Sequence, residues 1–231
     1  MEIIKKDHMD KRKNNVIFTH IKKTAGTSTI NALDLTAYDK FTCKSIPKLI
    51  SKNWNKKPLF ISGHRPYGLH RYLISSGVDY TTMLADPLER IISEYFFSQQ
   101  SKYKNYEHPT WKETNKYSIS ECLELGVLKS NSLCNFILGK SNNRKLDMHD
   151  MKKAVLNLKH NYAVFGIKKE FKKSIELIGG YLEVPYFINN VIHKQTQKET
   201  IAPSELKKIK KYFEYDIEFY KHAEDLFYKQ F

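Results

Sequence analysis

Residues Asn15 to Ile30 read NVIFTHIKKTAGTSTI, and the fold turns on this stretch. Asn15 to Ile21 is a β-rich run, followed at once by KKTAGTST and then by TINALDL, which has the composition of a helix. The order is strand, tight loop, helix. At the turn lie Lys23, Thr24, Ala25, Gly26, Thr27 and Ser28, so that backbone N–H groups, one ammonium and three hydroxyls can converge on an oxyanion. It is not a Walker A loop, because G-x-x-x-x-G-K-[ST] puts lysine after the second glycine, whereas Lys23 precedes Gly26. Taken alone, the same residues also suit an ordinary turn with an N-cap.

Further along, Pro58 to His64 (PLFISGH) and Tyr80 to Ala85 (YTTMLA) are two more strand-like runs. The second ends where a helix begins: Asp86 is a good N-cap, Pro87 suits the first helical position and Glu89 can reach back to the cap. That helix continues through ERIISEYFFSQQ, with Ile91, Ile92, Tyr95 and Phe96 on a face suited to burial. From about 98 to 151 the sequence is polar, with weak helical stretches near Ser120 to Leu128 and Ser132 to Leu138, and reads as a peripheral helical insertion. Tyr162 to Ile167 (YAVFGI) is a fourth strand, followed by a helix that Gly179 and Gly180 are expected to end. Ser204 to Phe231 repeats apolar residues at helical spacing and predicts one long amphipathic helix.

Strands alternating with helices imply an α/β fold: a three-layer arrangement with a central parallel sheet, helices on both faces, and ligands at the carboxyl ends of the strands. Residues 1–231 are expected to form a single domain, since this length supports one core without staples. No run approaches the roughly 18 apolar residues of a membrane span, and MEIIKKDHMDKRKNN lacks the apolar core of a signal peptide. Cys43, Cys122 and Cys134 form neither a disulfide framework nor a zinc-ligand pattern. The expected location is the cytoplasm. Lys and Arg number 39 against 25 Asp and Glu, a net charge of +14. That excess fits either a solvated lysine surface, compatible with peripheral membrane contact, or a polyanionic ligand.

Four blocks, in order, carry a resemblance to a known family: HIKKTAGTS (His20 to Ser28), GHRPYGLHR (Gly63 to Arg71), TTMLADPLERIISEYFF (Thr81 to Phe97) and FGIKKEF (Phe165 to Phe171). The chain resembles the sulfotransferases related to heparan-sulfate 2-O-sulfotransferase, the bacterial members most of all. The resemblance implies a P-loop-like α/β fold and transfer of a sulfuryl group from 3′-phosphoadenosine 5′-phosphosulfate (PAPS) to a hydroxyl of a carbohydrate or glycolipid. No metal and no specific nucleic acid are implied. By this match the first block binds the donor's 5′-phosphosulfate, with Lys23 beside the bridging oxygen and Thr24, Ala25, Gly26, Thr27 and Ser28 completing the cradle. His64 matches the family's catalytic histidine, suited to removing the acceptor's proton, with His70 in reserve.

The third block matches the site for the donor's 3′-phosphate, and Ser93 matches its serine. Ala85 stands where the family has an arginine, a loss of about 1.5 to 3 kcal/mol unless another cation substitutes. Arg90, Arg65 and Arg71 are the arginines nearest in sequence that could serve, and Arg90 has an alternative role in an ion pair with Glu89 or Glu94. Lys22 stands where the family usually has proline, and Lys194 falls where the family folds a segment over the donor. Two rival readings use the same residues: a nucleotide-dependent kinase, and a non-catalytic polyanion-binding protein derived from a transferase.

Overall fold

The structure, a computed structural model, describes residues 14–50, 57–73, 77–100, 102–103, 106–140, 145–188 and 201–230. The first half runs β1 (Asn15–Thr19), α1 (Gly26–Ala32), β2 (Asp39–Thr42), α2 (Ile46–Ile50), β3 (Leu59–Gly63), β4 (Val78–Leu84) and α3 (Pro87–Gln100). A two-stranded ribbon follows, β5 (Lys102–Tyr103) with β6 (Tyr106–Glu107), and then α4 (Trp111–Lys116), α5 (Ile119–Glu124), α6 (Ser132–Leu138) and α7 (Met148–Asn161). The last part is β7 (Tyr162–Ile167), α8 (Phe171–Leu182), α9 (Pro203–Lys210) and α10 (Glu214–Tyr228).

Five strands form one sheet in the order β2-β3-β1-β4-β7, every neighbouring pair parallel. The strands alternate their burden, as period-two geometry requires. Ile17, Ile61, Phe165 and Ile167 face a core shared with α6, α7 and α10, while Val16, Phe18, Phe60 and Val164 face a second core under α1 and α8. Helices therefore cover both faces. The chain goes outward from β1 to β2, returns through β3 and crosses to β4 on the other side of β1. By the general rule for open α/β sheets, that reversal puts the ligand-binding crevice beyond the carboxyl end of β1. The register aligns the tips: Thr19 is opposite Gly63 on one side and Thr82 on the other, and Leu84 is opposite Ile167.

The four expected strands are present, and Asp86 caps α3 by accepting the N–H groups of Leu88 and Glu89 on Oδ1, both at 2.9 Å. Four expectations need correction. Strand β2 was not foreseen, because DKFT alternates half-buried and exposed positions at the sheet edge and carries little apolar signal. Of the expected insertion, α5 belongs to a satellite cluster with α3 and α9, but α6 is not peripheral: Leu133, Cys134 and Ile137 are fully buried in the main core. Gly179 and Gly180 do not end α8, which continues to Leu182 and is closed by Glu183 at φ 51°. Gly179 is there for packing, since a Cβ at that position would fall 2.5 Å from the Tyr186 ring.

The long C-terminal helix is broken by a 3₁₀ turn at Lys211–Phe213. The turn re-aims the apolar stripe: Ile209 and Phe213 enter the satellite cluster, while Phe219, Tyr220, Ala223 and Phe227 enter the main core.

Strand β7 is a sheet edge, and side chains close it. The Gln230 amide accepts the Phe165 N–H and donates to the Phe165 carbonyl, both at 3.3 Å. The buried Ser174 hydroxyl likewise accepts from the Ile167 N–H and donates to the Ile167 carbonyl, both at 2.9 Å.

Candidate active site

The cradle is built from the exit of β1. The His20 N–H donates to the Gly63 carbonyl at 3.1 Å, tying the loop's start to the tip of β3. Thr24 is fully buried and its hydroxyl donates to the Ile21 carbonyl at 2.9 Å, closing the turn from inside. Lys23 and Ala25 hold positive φ, 64° and 67°, although neither is glycine. Such residues cost of order 1 to 2 kcal/mol each and persist where the surroundings over-determine them, commonly at functional sites. Ala25 then opens α1, its carbonyl accepting the Thr29 N–H at 2.9 Å. Of the three hydroxyls expected to converge, Thr24 is thus used inward; Thr27 is exposed and Ser28 half-buried at the start of α1.

Gly26 has a specific reason to lack a side chain. A Cβ there would fall 2.6 Å from Nε2 of His20, so the helix can approach the β1 exit this closely only with glycine. The His20 ring lies between Gly26 and His64, its centroid 4.6 Å from that of His64. Burial first, and the nearby His64 second, push the His20 pKa down to about 4, so this ring is neutral at physiological pH. His64, at the tip of β3, is exposed and places Nδ1 2.7 Å from the His20 carbonyl. A carbonyl only accepts, so Nδ1 carries the proton in this bond and the neutral ring presents Nε2 as a free base. His70 is committed elsewhere: its Nδ1 lies 3.0 Å from the Tyr80 hydroxyl, within a cluster of tyrosines.

Lys23 projects toward the other side of the crevice. Its ammonium lies 4.2 Å from the centre of the Phe97 ring on α3. Its pKa is lowered, by burial above all, with Glu94 opposing that shift and Lys168 adding to it. Lys23 and His64 thus leave adjoining strand tips, joined through the loop and His20. Ser93 is half-buried on α3, one turn before Phe97. His108 joins from the segment after α3, its ring edge-on to Phe97 with centroids 5.8 Å apart. Its pKa is lowered by burial and by Lys22 and Lys23.

Arg90 takes its structural role. Only 1% exposed, it donates to Glu94 at 2.7 Å and to the Lys129 carbonyl at 3.4 Å, so it is held in the interior and not presented to the crevice. Ala85 is fully buried at the tip of β4. Lys194 lies outside the described residues. Among the described residues, no group of three or more His, Cys, Asp or Glu side chains is arranged to hold a metal, and no helix is long and apolar enough to cross a membrane.

Sequence reasoning missed His20, Phe97 as the seat of Lys23, Glu94 and His108. His20 had a local signal, standing at a strand exit three positions before Lys23. The other three reach the site through tertiary packing, for which no spacing rule exists.

A parallel sheet, a turn strained at Lys23 and Ala25 beyond β1 and a histidine at the tip of β3 define an α/β protein with a candidate anion site at its strand ends. A model of the sulfotransferase family matches residues 6–223, and the chain belongs to that family. A search of curated proteins finds no match. Among solved structures, the chain is similar to mouse sulfotransferase SULT7A1 complexed with PAP, at 14% identity and a TM-score of 0.41. The match covers 87% of this chain and 65% of the mouse chain, so this chain spans less than two thirds of that protein's length.

Proposed function

We propose that this protein is a sulfotransferase of the heparan-sulfate 2-O-sulfotransferase-related group that uses PAPS to sulfate a hydroxyl of a carbohydrate or glycolipid. The observation that carries this reading is the 2.7 Å contact between His64 Nδ1 and the His20 carbonyl, which leaves a basic Nε2 beside a cradle containing Lys23. PAPS supplies a sulfuryl group whose bond to phosphate breaks as the acceptor oxygen attacks sulfur. His64 Nε2 takes the acceptor's hydroxyl proton, making the oxygen a better nucleophile. Lys23, with the N–H groups of the turn and the hydroxyls of Thr27 and Ser28, holds the anionic end of the donor and offsets charge that accumulates on the departing phosphate. Lys23 is already partly desolvated, which makes its charge more effective there than in water.

The residues at the turn suit an anionic donor. Glycine at position 26 leaves room for the His20 ring, and the cations near the turn, Lys22, Lys23 and Lys168, outnumber the carboxylates beside them, Glu94 and Glu89. We read residues 1–231 as one sulfotransferase domain, and the three buried, free cysteines support a reducing compartment such as the cytoplasm.

The test is a thermal-stability titration with 3′-phosphoadenosine 5′-phosphate and, separately, with ATP and Mg²⁺. A ligand at a hundred times its Kd adds about 2.7 kcal/mol. Selective stabilisation by the first nucleotide, abolished by Lys23→Ala, is expected. Stabilisation by ATP and Mg²⁺ instead points to the kinase, and no response to either overturns the reading.

A further inference from the structure

The proposed donor carries a second phosphate, and by the resemblance Ala85 stands where an arginine is expected to hold it. The tips of β4 and β7 are in register, Leu84 opposite Ile167, so the residues that follow them, Ala85 and Lys168, leave the sheet about one strand spacing, roughly 5 Å, apart. Ala85 is fully buried and offers no polar atom. Lys168 is 28% exposed and begins a 3₁₀ turn, its departure fixed by Ser174, which holds both polar backbone groups of Ile167. Its ammonium is close enough to Lys23 to contribute to the lowering of that lysine's pKa, after burial. Its partner is Glu89 at 3.7 Å, itself 69% exposed. Such a surface pair is weak and yields readily to a phosphate dianion.

Among the described residues, the other cations considered are committed or turned elsewhere. Arg90 is buried against Glu94, and Lys169 pairs with Glu224 at 3.3 Å on α10. Arg65 donates to the Lys44 carbonyl on the β3 side of the crevice, and Arg71 follows on the same loop. Lys22 stands near His108.

We propose that Lys168 binds the donor's 3′-phosphate, a lysine from β7 taking over the task that an arginine at the tip of neighbouring β4 performs elsewhere. The inference rests on the sulfotransferase reading. It makes the preference for a 3′-phosphate, not nucleotide binding as such, the property of Lys168.

The experiment measures Kd by calorimetry for 3′-phosphoadenosine 5′-phosphate and for adenosine 5′-phosphate, which lacks the 3′-phosphate. The wild type is expected to prefer the first by about ten- to a hundredfold, the usual worth of a charge-assisted contact. Lys168→Gln should erase most of that ratio, weakening the bisphosphate far more than adenosine 5′-phosphate, and Lys168→Arg should keep it. Glu89→Gln, at an exposed position, should tighten binding of the bisphosphate a few-fold by freeing Lys168. A full ratio in Lys168→Gln, its loss in Lys22→Gln instead, or weaker bisphosphate binding in Glu89→Gln would each overturn the proposal while leaving the sulfotransferase reading standing. A wild type that binds neither nucleotide overturns that reading and, with it, this one.

Discussion

The two flanks of the crevice differ in what holds them. On the β3 side, Gly26, His20 and His64 are locked by contact: a ring wedged against a Cα, a second ring beside it and a short bond from Nδ1 to a carbonyl. On the β4 and β7 side, Lys23, Phe97, Glu94 and Lys168 are arranged by charge, with a cation resting on an aromatic face and a loose ion pair at the rim. The difference suits the tasks proposed for the two flanks. Proton removal needs a base fixed within a fraction of an ångström, whereas a polyanion can be gathered by side chains that adjust around it.

The comparison is most directly broken at the base. His64→Ala is expected to lower sulfuryl transfer about 10²- to 10⁴-fold, with thermal stability and binding of 3′-phosphoadenosine 5′-phosphate near wild type; a steady-state assay beside a nucleotide titration reads both, and retained activity would remove His64 from the chemistry. Next is Gly26→Ala, where the new methyl meets a ring that has His64 behind it. A loss of about 1 to 3 kcal/mol in denaturant unfolding is expected, together with impaired catalysis. An unchanged midpoint would mean that the β3 flank yields more easily than its contacts imply.

The pH dependence sharpens the same contrast. His20 has a folded pKa near 4 against an ordinary value of 6.5, so the unfolded chain binds the extra proton between those limits. Stability therefore rises with pH across that window and is lost as pH falls from 6.5 toward 4. Partial exposure of the ring reduces the effect to about 1 to 2 kcal/mol. Melting temperatures of the wild type and His20→Gln across that range should diverge at neutral pH and converge in acid; parallel curves would show that the ring is not held neutral. The smallest effect is a control away from the crevice. Gly180 sits within α8 and a Cβ there meets nothing within 4 Å, so Gly180→Ala should stabilise by about 0.5 to 1 kcal/mol, the opposite sign to Gly26→Ala.

What the sequence made legible follows from how local each cause is. Strands β1, β3, β4 and β7 are apolar runs buried on both faces, and α3 carries its own cap in Asp86 and Pro87, so both kinds of element show in a short window. Strand β2 is half-exposed and polar, and the glycines of α8 look like a stop because the reason for Gly179, the Tyr186 ring, lies outside the helix. In the site, Lys23 and His64 could be placed at strand tips because His64 follows β3 directly and Lys23 follows β1 after a short loop. The inward turn of Thr24 and the burial of Arg90 could not, since both depend on which neighbours the folded chain supplies.

The clasp that Gln230 and Ser174 place on β7 has a further consequence. A bare outer strand is an invitation to a stranger's backbone, and sheets commonly repel such docking with lysines, prolines or bulges. Here an amide and a hydroxyl mimic the missing neighbour at alternate residues, so the sheet is finished from within and the protein is guarded against growing into a ribbon of its own copies.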